Sequence, residues 1–468
     1  MAENQTINKD GEVKVILEKN KLKAYIELIP PIGEGKPCTL EDAKEALAKN
    51  NIVEGIKESE LRELVSQKRW GQKILVAEGK PPVNGENAKI VFKFPLLSER
   101  IGPKIDEDGK ANYHDLGLIY NVKMGQLLAE KIPATPGTPG IDVTGKVIPP
   151  KPGLDFRLPK GKNTFSDDND TMVLAAIDGN VTIRDNRIVV DQVYELNGDV
   201  DFSSGNIDFV GDVVIHGNVN SGFKVHAEGD IQVNGFIEGA EVVAKGNIFV
   251  RGGITTGNKG IVKAGGDLVA RFVDNSRVEA GGDILIRKAI IQSVVKAGGS
   301  VRVRDRKATI LGGVIQASME VESRVLGSQL ATGTIVEVGV NPHYREEYQK
   351  LIKLRNELKK NVDNINHNLQ VYQRSGVSPE NLTPKKRLML IQMLDKFKEL
   401  RKELQEIEER VLFLENEFQR GYNAKVKVHD IVYPGVRITI GQSIYIVNDP
   451  IKYSSFVLDD GEVRVSPL

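Results

Sequence analysis

The sequence is poor in cysteine, in aromatic residues, in net charge and in long apolar runs. Cys38 stands alone among 468 residues, which excludes an intrachain disulfide and a multi-cysteine zinc site and suits a reducing compartment. Aromatic residues make up 6% of the chain, so large rings cannot dominate its packing. Basic and acidic residues number 64 each, a formal net charge of zero, so no global field draws the chain to nucleic acid or anionic lipid, and any such patch must be local. No apolar run approaches the roughly 18 residues of a membrane span. Met1–Glu12 lack the basic start and apolar stretch of a signal peptide, and the C-terminus carries no lipidation motif. These absences lead to the expectation of a soluble cytoplasmic protein.

What the chain has in excess is glycine, 46 residues of it, and the glycines are periodic. From Asn197 onward apolar residues fall six apart, at Ile207, Val213, Val219, Val225, Ile231, Ile237 and Val243. Gly205, Gly211, Gly217, Gly229 and Gly235 share the period and are often followed by Asn or Asp, as in Gly205-Asn206 and Gly211-Asp212. Later copies read Gly265-Gly266-Asp267 and Gly281-Gly282-Asp283. Three sixes make one turn of a triangular parallel β-helix, with Val and Ile stacked inside and glycine at the corners.

The fold class read from these patterns is mainly β, with flanking units. Residues 1–130 form an α/β domain with strands at Val13–Leu28, Ile74–Ala77 and Lys89–Phe94, and helices capped by Thr39 and Ser59. Residues 131–196 are a Pro/Gly-rich β connector, in which Gly137, Gly140, Asp142 and Gly145 suit a strand-turn-strand. Residues 197–340 are the β-helix. Residues 341–421 switch to helix: Asn341-Pro342 and Thr383-Pro384 each supply an N-cap followed by proline. Two apolar seams, from Tyr344 to Tyr372 and from Leu390 to Phe418, predict an antiparallel coiled-coil hairpin about 45 Å long. The reversal lies at Ser375–Asn381 and the second helix ends at Arg420-Gly421. Residues 422–468 return to β.

The strings Pro136–Lys146, Gly205–Asp212 and the repeated Ala-Gly-Gly-Asp resemble the flagellar assembly protein A family, FapA, over nearly the whole chain. That resemblance implies a right-handed β-helix, a non-enzymatic bacterial cytoplasmic protein and an N-terminal family region over about the first 190 residues. Period six alone suits a left-handed helix equally. The expected role is a scaffold that assists flagellar or envelope-associated assembly through protein partners, with self-association if the β-helix ends are uncapped.

Rival chemistries are few. Asp199, Asp201, Asp212 and Asp230 follow corners and read as Asx turns rather than a lyase carboxylate cluster. His216 and His226 are candidates for an acyl-transferring enzyme, and as lone strand histidines they read first as side chains with structural partners. Gly252–Gly260 lacks the ending of a phosphate loop, and the repeat is not the nonapeptide of calcium-binding β-rolls. No catalytic residue, cofactor or metal is assigned. Arg302, Arg304 and Arg306 are read on one strand face as a candidate partner surface for an acidic protein or nucleic acid; without interleaved aromatics, nucleic acid is not favoured there.

Overall fold

The computed structural model describes residues 8–96, 104–105, 111–112, 114–257, 259–374, 383–419 and 423–468. The chain forms two compact units, residues 1–94 with 125–175 and 185–188 in the first, and residues 95–124, 176–184 and 189–468 in the second. The expected reversal at Ser375–Asn381 and helix end at Arg420-Gly421 lie outside the described residues.

In the first unit, alternating apolar residues make Glu12–Leu17 and Lys23–Ile29 an antiparallel pair, extended by Ile74–Glu78. Ala24, Ile26 and Leu28 turn inward with no exposure and pack with Leu47, Leu61 and Leu64 of two short helices, α1 (Leu40–Lys49) and α2 (Glu58–Ser66). Thr39 and Asp42 exchange side-chain and backbone bonds at the start of α1, a capping box. At α2 the expected cap is displaced: Lys57 holds the cap position without a side-chain bond, and Ser59 lies inside the first turn. There Glu58 and Glu60 offset the positive helix end instead. Cys38 is buried, and burial pushes its thiol up, away from the reactive thiolate.

The Pro/Gly-rich connector is ordered. Gly140–Ile141 pairs antiparallel with Val147–Ile148, and the buried Asp142 ties the turn between them. Its Oδ1 accepts from the Thr144 amide and hydroxyl and from the Lys146 amide. Gly145 takes the left-handed backbone (φ 77°) that closes this turn, and Gly137 does the same nearby (φ 75°). A side chain at Gly140 would lie 2.4 Å from the Lys80 carbonyl oxygen, so only glycine allows that approach.

The second unit contains a β-solenoid of about eight turns. Each turn lays one segment on each of three faces, paired in parallel with the coils before and after it. The first face stacks Asp212–Ile215, Ile231–Val233, Ile248–Val250, Leu268–Ala270, Ile284–Ile286 and Val301–Val303. The second stacks Val219, Ile237, Ile254, Val273, Ile290 and Ile310. The third stacks Val225, Val242, Val262, Val278, Val295, Ile315 and Val336. These inward residues form one continuous core. The hexad slips once: Val225 pairs with Val242, so Val242 is buried and Val243 turns outward. A one-residue slip in a strand exchanges its faces, and the corner at Gly239 and Ala240 absorbs it.

The Gly-Asx corners have a specific cause. Oδ1 of Asp212 accepts the amide of Asp230 one coil later, and Asp230, Asn247, Asp267 and Asp283 repeat this to the amides of Asn247, Asp267, Asp283 and Ser300, all at 2.7–2.8 Å. The glycine before each receiving residue makes room for the accepting oxygen. A Cβ on Gly229, Gly246, Gly266, Gly282 or Gly299 would lie 2.0–2.3 Å from the side-chain oxygen of the previous coil. Asp199 and Asn218 build a second ladder of this kind to the amides of Asn218 and Phe236. Of the four aspartates expected in local Asx turns, only Asp201 makes one, to the amide and hydroxyl of Ser203. The other three reach to the next coil. At the third corner, buried Ser276 and Ser293 take the acceptor role for the amides of Thr256 and Ser276.

Antiparallel strands close the C-terminal edge. Val436–Ile440 pairs with Ser443–Ile446, and Lys425–Val432 pairs with Ile451–Asp459, itself covered by Glu462–Pro467. At the other end, the Asn206 amide donates to the His114 carbonyl, and Asn121 bonds the Asp208 carbonyl and the Val210 amide. The uncapped edges that would support self-association by strand pairing are therefore covered at these positions.

Between the third-face strand Thr334–Val338 and the strand Lys425–Val432, which resumes the first face, the chain leaves as α3 (Pro342–Arg374) and returns as α4 (Pro384–Gln419). Asn341 Oδ1 accepts the His343 amide at the start of α3. Leu358 of α3 is buried with Leu400, Ile407 and Val411 of α4. The helices run antiparallel, since Tyr348 near the start of α3 donates to Glu415 near the end of α4, and Arg410 forks onto Glu347.

The ladder is testable by a double-mutant cycle. Asp267→Ala leaves the Asp283 amide without its acceptor and costs about 1–3 kcal/mol in urea unfolding. Gly282→Ala costs more in the native background than beside Asp267→Ala, because the second change removes the oxygen it collides with. Equal costs in both backgrounds would refute the steric account.

Candidate functional site

Outward residues of each solenoid face form columns, because strand register stacks equivalent positions. Of the arginines singled out from sequence, Arg302 lies on a first-face strand, and the three do not form one free surface. The strand ends at Val303, so Arg306 lies in the following turn, apart from the other two. Arg302 donates to Asp283 at 2.7 Å and approaches Glu320 at 3.5 Å. Arg304 forks onto Glu322 Oε2, whose other oxygen contacts His429 at 2.9 Å. Burial pushes the Glu322 carboxyl up, but the Arg304 and His429 bonds outweigh it and hold it below the usual range. Arg302 and Arg304 are thus engaged within the fold.

The histidines are equally local. His216 Nδ1 meets the Asn234 amide group at 3.1 Å one coil on. His226 stacks on Asp208 in register and approaches Glu241 at 3.5 Å, an electrostatic contact rather than a formed hydrogen bond. His226, Asp208, Lys224, Asn206 and Asn121 line a cleft of about 380 Å³ on the third face. Asn206 Oδ1 is already used, accepting the Lys224 amide. Among the described residues no group of three or more His, Cys, Asp or Glu is placed to hold a metal ion, and the corner aspartates spend an oxygen on backbone amides.

The most elaborate polar assembly roots the helical arm. Glu279 and Lys296 stand in adjacent coils on the third face and are nearly buried. Arg277 reaches Glu279 at 2.9 Å, Lys296 stands 3.8 Å from Glu279, and Lys296 donates to Glu346 in the first turns of α3. Arg345 pairs with Glu337 at 3.0 Å, and the His343 ring meets the Ala280 carbonyl oxygen at 2.9 Å. The root was not legible in the sequence, since the Lys296–Glu346 and Ala280–His343 contacts that tie arm to solenoid join residues 50 and 63 positions apart. The Lys296 bond lowers the Glu346 carboxyl, against the opposing effect of burial.

The far end of the arm differs. Val371 of α3 and Leu388, Met389, Ile391 and Leu394 of α4 are 41–66% exposed, although the expected seam residues Leu390 and Met393 are shielded beside them. No helix among the described residues is long and apolar enough to cross a membrane.

A lowered carboxyl contributes stability above the ordinary glutamate range and loses it as pH falls through the folded value. Below about pH 4.3, amides of the first α3 turns are expected to lose protection, measured against their intrinsic exchange rates at each pH, in hydrogen-exchange mass spectrometry. Glu346→Gln should remove much of that acid dependence. An unchanged profile in the variant would refute the root.

The comparisons with known proteins agree with this architecture. Residues 192–463 match the flagellar assembly protein A β-solenoid domain, and residues 13–186 match the flagellar assembly protein A N-terminal region. No curated protein and no solved structure matches the chain significantly. With a domain model covering more than half of its length and a second covering most of the remainder, the chain belongs to the flagellar assembly protein A family.

Proposed function

We propose that this protein is a non-enzymatic cytoplasmic scaffold that assists flagellar or envelope-associated assembly, using its helical arm and N-terminal unit to hold protein partners. The observation that carries the reading is the arm itself. A charged network roots it on the third face, while Leu388, Met389 and Ile391 in the first turns of α4 are left exposed. Apolar side chains grouped on a helix are costly in water and characteristic of recognition surfaces. In this reading the solenoid supplies rigidity and the arm, read from sequence as a coiled coil, supplies contact. The domain limits at 130, 196, 340 and 421 belong to the same proposal, as does the assignment of the periodic glycines to structure rather than chemistry.

The test compares three baits in host lysate: the full chain, a form in which 341–421 is replaced by a short flexible link, and full-length Leu388→Asp/Ile391→Asp. A partner retained by the first and lost from both others is expected. Identical captures by all three, with unchanged solenoid melting, would overturn the reading.

A further inference from the structure

Arginines from consecutive coils stack beyond the end of the first-face strands. Phe249 pairs with Val269, which sets Arg251 opposite Arg271. Ala270 pairs with Ile286, and a register shift follows before Phe272, which sets Arg271 against Arg287 and its neighbour Lys288. Arg251, Arg271 and Arg287 are exposed. Among the described residues none of the three makes a side-chain hydrogen bond or ion pair, unlike Arg304 and Arg324 in the following coils, which meet Glu322 and Asp430. Like charges on adjacent strands, about 4.8 Å apart, destabilise a sheet unless something neutralises them. The carboxylates Asp230, Asp267 and Asp283 stand at the opposite edge of this face, where the Oδ1 of each accepts from a backbone amide.

Beside the arginine column runs an apolar one. Phe249, Val269 and Leu285 pair in register, with Phe249 41% and Leu285 38% exposed. Phe249, Val269 and the three arginines line one concave stretch of surface. On the far side of the arginines stand Phe236, 40% exposed, and Phe272, their ring centroids 6.3 Å apart. The face therefore offers a straight cationic track between apolar and aromatic flanks, on strands fixed by their neighbours.

We propose that this face binds single-stranded nucleic acid, with phosphates along Arg251, Arg271 and Arg287 and unstacked bases against Phe249 and its neighbours. A single strand carries anionic groups on one track and flat apolar faces on the other, which matches both columns at once. A duplex hides its base faces and would use only the arginines. Arg302 and Arg304, by contrast, are paired with carboxylates: spacing along one strand identified them, whereas the column Arg251, Arg271 and Arg287 is assembled across coils.

Fluorescence anisotropy of the full chain with a labelled oligothymidylate of about 20 nucleotides tests it, at about 50 and 200 mM salt. Saturable binding that weakens with salt is expected. Arg251→Ala/Arg271→Ala/Arg287→Ala should weaken it at least about tenfold and flatten the logarithmic salt slope by about 2, for three lost contacts. Phe249→Ala should weaken it roughly fivefold or more. Lys385→Ala/Lys386→Ala/Arg387→Ala removes equal charge from the arm and should leave affinity within about twofold. Unchanged melting of each variant certifies the fold. No saturable binding at the lower salt, or equal losses in the two triple variants, would overturn the proposal. So would equal affinity for a duplex of the same length, or displacement by polyglutamate at matched charge with Phe249→Ala unaffected; the latter would assign the track to an acidic protein segment.

Discussion

The solenoid depends on a hydrogen bond between a side chain of one coil and the backbone of the next. An Asn or Asp oxygen takes the amide at the corner above it, and a glycine beside that amide gives the oxygen its space. A corner amide deprived of a partner loses about 1–3 kcal/mol, and a carboxylate acceptor makes the stronger, charge-assisted form of the bond. Repetition from Asp212 to Ser300 fixes where each first-face strand begins. On that face inward Val, Ile and Leu then stack coil upon coil in register, and apolar burial supplies the bulk of the stability.

Once the strand starts are fixed, the outer surface is fixed too. Residues 16 to 20 positions apart become nearest neighbours, and along the ladder, from Asp212 to Ser300, variation in length is confined to the other two corners. A whole helical hairpin enters at one corner, yet Glu320 still pairs with Lys425 and Val321 with Val426 across the insertion. The entropy of closing a loop rises slowly with its length, so the solenoid tolerates the arm where the corner geometry is preserved. The arm is in turn held by Glu279 and Lys296, two outward residues brought together by coil stacking. Breaking one member of a nearly buried charge group is costlier than never having built it, which suits a root that sets an orientation.

The capping of the ends follows the same economy of edges. Parallel coils leave free strand edges at both ends, and reversal into antiparallel strands at Ser443–Ile446 and Ile451–Asp459 covers the C-terminal one without a further domain. That leaves faces rather than ends as the surfaces for recognition. Family membership agrees with a body of this kind, and its two matched regions correspond to the N-terminal region and the solenoid domain.

The sequence by itself determined the β-solenoid, the strand-turn-strand of the connector and both long helices, because period six, Gly-Asx pairs, proline positions and apolar seams are local signals. It also marked Thr39 as a cap, since Asp42 completes that box three residues on. It misplaced Val243, as a single missing corner residue is invisible to a hexad count, and it misread Asp199, Asp212 and Asp230 as local turns because their acceptor role reaches the next coil. Only the tertiary structure decided that Arg302 and Arg304 are paired, that Arg306 stands apart, that Arg251, Arg271 and Arg287 form a column, and that Lys296 meets Glu346. The reason is physical: in a coiled sheet the charge environment of a side chain is set by residues one turn away, and the turn length varies from corner to corner.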